Sequence, residues 1–104
     1  MTRFYRFQYG SYTLTEMQEY VSVDGGEGYE ELGIEPEGIC ACECASDLRR
    51  NTVYDARDTV AVIVEFEGQK VMDIYDGVRA YPIEIVRYWT PAEFEAAYEA
   101  GDIE

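Results

Sequence analysis

The chain has 104 residues with 22 Asp and Glu against 8 Lys and Arg, a formal net charge of −14. A field of that sign repels nucleic acid and anionic membranes and attracts basic surfaces. Histidine is absent, which removes the commonest general base and the commonest nitrogen ligand for a metal.

The length predicts a single domain spanning residues 1–104. An apolar fraction of 47% supplies a core despite the charge. No run of about 18 apolar residues marks a membrane span. The opening MTRFYRFQYG has no apolar signal region, so a cytoplasmic location is expected.

In chain order, residues 3–9 are short and aromatic-rich and read as a strand. A helix is expected over about 15–21. Thr15 has capping-box spacing to Gln18, and Thr13 competes as N-cap. Asp24-Gly25-Gly26-Glu27-Gly28 breaks regular structure, and residues 29–38 form an acidic loop with room for one helical turn near 29–32. Residues 38–45 alternate at period two and read as a strand, followed by a short helix capped by Ser46.

The second half predicts an antiparallel meander. Its first strand is 59–67, with Val60, Val62, Val64 and Phe66 on one face. Gly68-Gln69 turns the chain into a second strand, 70–75. Asp76-Gly77 has the chemistry of a type I′ hairpin turn. The third strand, 78–89, places Tyr81, Ile83, Ile85 and Trp89 together, with Pro82 at an edge or a bulge. Thr90, Pro91 and Glu93 announce a helix whose buried stripe is Phe94, Ala97 and Tyr98 and whose stop is Gly101. The fold class expected is α+β: an antiparallel sheet of four to five strands, a C-terminal helix packed on it, and short connecting helices.

Cys40, Cys42 and Cys44 alternate, so on a strand their sulfurs share a side without converging on one ion. They read as small buried hydrophobes rather than a metal or redox site. Gly25-Gly26-Glu27-Gly28 has no Lys, and its acids oppose a phosphate. No Ser–His or Cys–His pair exists for nucleophilic catalysis. No cofactor, metal or catalytic residue is therefore expected.

The acids are segregated. Residues 7–48 hold ten carboxylates and no base, the last seventeen residues hold five and no base, and 49–87 are nearly neutral. Crowding like charge destabilises the compact state, so an excess of this size points to a use for the field itself. The candidate partner-binding residues are Glu27, Tyr29, Glu30, Glu31, Glu35 and Glu37 in the acidic loop, and Glu95, Glu99 and Asp102 along the terminal helix. Ten tyrosines add side chains suited to interfaces.

In size and composition the chain resembles small phage-encoded inhibitors, the anti-CRISPR and anti-restriction proteins that imitate nucleic acid. That resemblance implies an inhibitor occupying the basic nucleic-acid-binding surface of a partner protein. The alternatives are an adaptor binding through a Tyr-rich surface, or a small enzyme. An early Arg (Arg3 or Arg6), a Tyr-Thr step and a later Glu are similar to the arrangement in ADP-ribosyltransferase-like domains.

Overall fold

The computed structural model describes residues 2–19 and 38–104. The acidic loop, the glycine run and the helical turn expected near 29–32 lie outside the described residues.

The fold is α+β; among the described residues it has a four-stranded antiparallel sheet, a C-terminal helix and two short helices. In chain order the elements are β1 (Thr2–Gln8), α1 (Leu14–Glu19), β2 (Ile39–Ala41), α2 (Ala45–Arg49), β3 (Val62–Ile74), β4 (Gly77–Trp89) and α3 (Pro91–Glu99). Strand order is β1-β3-β4-β2. The two edge strands then meet: the Tyr5 N–H donates to the Cys42 carbonyl at 2.9 Å, and the Cys42 N–H returns to Tyr5 at 2.8 Å. The sheet thus curls back on itself at this one bridge.

Curling needs bends, and bulges supply them. Register slips between Glu65 and Phe66, Glu67 and Gly68, and Lys70 and Met72. The three-strand meander expected from the sequence is instead one long hairpin of β3 and β4. Gly68 is no turn; it lies inside one continuous thirteen-residue strand. It stands opposite Pro82, where a Cβ would collide with the Tyr81 carbonyl. Pro82 sits at that same irregularity, as expected of a residue without an N–H.

Val64 and Phe66 share a face as expected, but Val60 precedes β3 and is 76% exposed. On β4 the bulges shift which residues face inward: Tyr81 and Ile83 face outward, Ile85 packs on one apolar layer and Trp89 on the other. The hairpin turn is displaced by one residue. Tyr75 and Asp76 form it, Gly77 opens β4 with φ 136°, and no described non-glycine residue has positive φ, which excludes type I′.

Two apolar layers result. Phe4, Ile39, Ala41, Val64, Phe66, Val78 and Ala80 fill the inner face from all four strands, with Met17 of α1 against them. On the other face Tyr5, Phe7, Cys42, Ile63 and Trp89 are covered by Ala45 and Leu48 of α2 and by Phe94 and Ala97 of α3. Phe94 makes edge or tilted ring contacts with Tyr5, Tyr54 and Trp89 at 5.8–6.4 Å.

Helix ends follow local rules. Thr13, not Thr15, caps α1: its hydroxyl accepts from the Glu16 N–H, and Glu16 accepts from the Thr13 N–H. Thr90 and Glu93 form the expected reciprocal box on α3. Gly101 takes φ 79° past its C-terminus, with its N–H on Tyr98 and the Asp102 N–H on Ala97. α2 starts one residue before the expected cap, with Cys44 at the N-cap position and Ser46 inside the helix.

Candidate acidic interface

All eight basic side chains lie among the described residues, and each is engaged within the protein. Arg3 donates to Glu65 at 2.9 Å and lies 3.8 Å from Glu67. Arg49 grips Glu95 with two hydrogen bonds, 2.7 and 3.2 Å. Arg50 reaches Asp47 and Arg57 reaches Asp55. Lys70 lies 2.8 Å from Asp73 and 3.5 Å from Glu43. Arg6 donates to Gln8 and to the Cys40 carbonyl. Arg79 is fully buried, directed at the Gly38 carbonyl. The Arg87 guanidinium carbon lies over the Trp89 ring, 3.4 Å from its centroid.

The pairs that carry structural weight are few. Glu65 is buried and accepts from both Arg3 and the Trp89 indole N–H at 3.0 Å, so its charge is satisfied. The Arg50 and Arg57 pairs are solvated and contribute little stability.

With the bases engaged, nine acids are left without an ion-pair partner among the described residues: Glu16, Asp58, Asp76 and Glu93 accept hydrogen bonds from the chain, and the others are Glu19, Glu84, Glu99, Asp102 and Glu104. The fold gathers several of them. The Ser46 N–H donates to the Glu104 carbonyl at 3.0 Å, docking the chain end on α2. That contact joins the end of the first acidic block, Glu43 and Asp47, to the second, Glu99, Asp102 and Glu104. No base stands in the last turn of α3, so Glu99 and Asp102 meet the negative end of the helix dipole, where carboxylates are unfavourable. These acids are not placed for stability.

The expected site residues divide. Glu27, Tyr29, Glu30, Glu31, Glu35 and Glu37 lie outside the described residues. Glu99 and Asp102 are exposed, and Asp102 lies beyond the end of α3 rather than on it. Glu95 does not join them as a free carboxylate. The Arg49 guanidinium beside it holds its carboxyl below the usual range, and that guanidinium is stacked on Tyr98 at 4.2 Å.

A cleft of about 440 Å³ opens here, lined by Arg49, Arg50, Tyr54, Asp55, Glu95 and Tyr98 among others. Its charges compensate one another. The Tyr54 hydroxyl is buried beside Glu95, and burial first and that carboxylate second push its phenol well up.

The cysteines differ from one another. Cys42 is buried; Cys40 and Cys44 are half-buried, so the reading of three buried hydrophobes holds for one. Among the described residues no group of three His, Cys, Asp or Glu side chains is arranged to hold a metal. Burial, then the charges of Asp47 and Asp76, push the Cys42 thiol up to about 12. Replacing Cys42 by Ser should cost about 1–3 kcal/mol in urea unfolding, because a hydroxyl needs stronger hydrogen bonds than this site provides. A variant as stable as the parent would contradict the apolar role of the thiol.

The raised thiol also sets a pH limit. The proton is held more tightly folded than unfolded, so this contribution is complete below pH 9 and is lost as pH climbs toward 12. Tyr5 and Tyr54, raised mainly by burial, act in the same direction from pH 10 upward. Stability measured against pH should therefore fall from about pH 9. A flat profile to pH 11 would contradict the burial of these groups.

The sequence reading passed over one feature of this surface. Tyr75 is fully exposed at the β3–β4 turn, beside an Asp-Gly pair whose only sequence signal is turn chemistry. No described helix is long and apolar enough to cross a membrane. In comparisons with known proteins, the chain matches no family model, no curated protein and no solved structure.

Proposed function

We propose that this is a cytoplasmic inhibitor of the anti-CRISPR or anti-restriction type, which occupies the basic nucleic-acid-binding surface of a partner protein. It works by stoichiometric masking rather than catalysis. The observation that supports this most is the engagement of every Lys and Arg within the protein while acids from both blocks stay outside unpaired. A cation-poor surface of this kind presents carboxylates where a basic protein expects phosphates. Steering by such a field raises association rates by about ten- to a thousandfold at low salt. The acidic loop, with Tyr29 among Glu27, Glu30, Glu31, Glu35 and Glu37, supplies the main contact, and Glu99 and Asp102 add to it.

The exposure of Tyr75, Tyr81 and Tyr88 favours a second reading, an adaptor that binds through tyrosines. Capture from host lysate separates the two. Immobilised protein should retain a basic nucleic-acid-binding protein at low salt and release it at high salt. Retention that is indifferent to salt would select the adaptor and sink the mimic.

A further inference from the structure

Beside the β3–β4 turn lies a second cavity of about 320 Å³, and it differs in charge from the cleft at Arg49. Cys42, Ile74 and Val78 give it apolar walls, Tyr75 forms part of the rim, and Glu43 and Asp76 add carboxylates. Its one base, Arg50, is held by Asp47 at 2.6 Å. Lys70 pairs with both Asp73 and Glu43, at 2.8 and 3.5 Å, so Glu43 shares its ammonium with a nearer acid.

The rim is fixed before any partner arrives. Asn51 donates to the Asp76 carbonyl at 2.8 Å, and the Thr52 hydroxyl to its carboxylate at 3.2 Å. Gly77 brings the turn against β2 so closely that a Cβ would collide with the Ala41 carbonyl. Tyr75, by contrast, packs on nothing: it is fully exposed, although a turn position has no need of a large ring.

From this geometry we infer that the cavity is a socket for one arginine side chain projecting from the basic partner. The apolar wall takes the aliphatic stem, Glu43 and Asp76 take the guanidinium, and the Tyr75 ring closes over it as a cation–π lid. The socket rests on the proposed function and narrows it to one contact and one side chain. Arginine is preferred over lysine because only its planar group can both stack and bond in-plane.

An oligo-arginine peptide titrated into the full chain, followed by backbone amide NMR, tests the socket. Amides of residues 74–78 and Glu43 should shift first. Tyr75→Ala and Glu43→Gln should each weaken binding about fivefold or more, and an oligo-lysine peptide should bind less tightly. Glu99→Gln, the same charge change elsewhere, should weaken it less. If the parent binds but Tyr75→Ala and Glu43→Gln bind equally well, the socket is wrong and the acidic-surface reading stands. If the parent binds neither peptide at low salt, both fall.

Discussion

Phe94→Ala should lower the stability of the protein by about 3–5 kcal/mol. Phe94 is fully buried and meets the rings of Tyr5, Tyr54 and Trp89. These rings come from β1, the segment after α2, and the end of β4, so one side chain ties α3 to three parts of the chain. Little can collapse into the space it leaves, because the sheet behind it is bulged and closed by the Tyr5–Cys42 bridge. A domain of this size has a total stability of about 5–15 kcal/mol. The thermal midpoint should therefore fall by on the order of 15 °C or more. Glu99→Gln, on the exposed side of the same helix, should move it by a degree or two. A fall of only a few degrees for Phe94→Ala would mean that α3 is not the cover of the outer layer.

That helix was legible because its signals are local: Thr90, Pro91 and Glu93 lie within four positions, and the capping box forms as they dictate. The long strands were legible in existence and not in register. Period-two alternation holds on β3, where Val64 and Phe66 share a face, but Val60 lies before the strand, and on β4 two bulges insert residues that alternation through Tyr81, Ile83, Ile85 and Trp89 cannot see. Gly68 reads as a turn for the same reason. It is required by the close approach of Tyr81, a contact set by the partner strand. Closure through Tyr5 and Cys42 is longer in range still.

The candidate interface shows the same division. Charge segregation is a property of composition and was visible at once. The withdrawal of Glu95 from the surface was not, because its partner Arg49 is 46 positions away. An i, i+4, i+7 pattern counts acids on a face without saying which of them a distant guanidinium has taken. Asp102 fails differently: Gly101 ends the helix before the pattern is complete.

Reversing Glu30, Glu31 and Glu35 to Lys should weaken binding to the captured basic partner by about tenfold or more, chiefly through the association rate. The thermal midpoint should stay within a few degrees of the parent. The companion set is Glu99, Asp102 and Glu104. Glu95 is left out because its reversal would break the Arg49 pair and confuse stability with binding. This second set should weaken binding less, since the densest run of acids in the sequence is Glu27 to Glu37. They also oppose the α3 dipole, so their reversal should leave stability equal or slightly raised. If both triple variants bind as the parent does, the acids serve only to keep the protein dispersed.

Competition for nucleic acid measures the central claim most directly. The captured partner is first loaded with labelled DNA or RNA, and the protein is then titrated in at low and at high salt. Stoichiometric release of the labelled strand at low salt, with no binding of that strand by the protein itself, is the expected result. High salt should weaken the protein's grip on the partner. A ternary complex in which partner, protein and nucleic acid migrate together, or tight binding of duplex DNA by the protein alone, would contradict it.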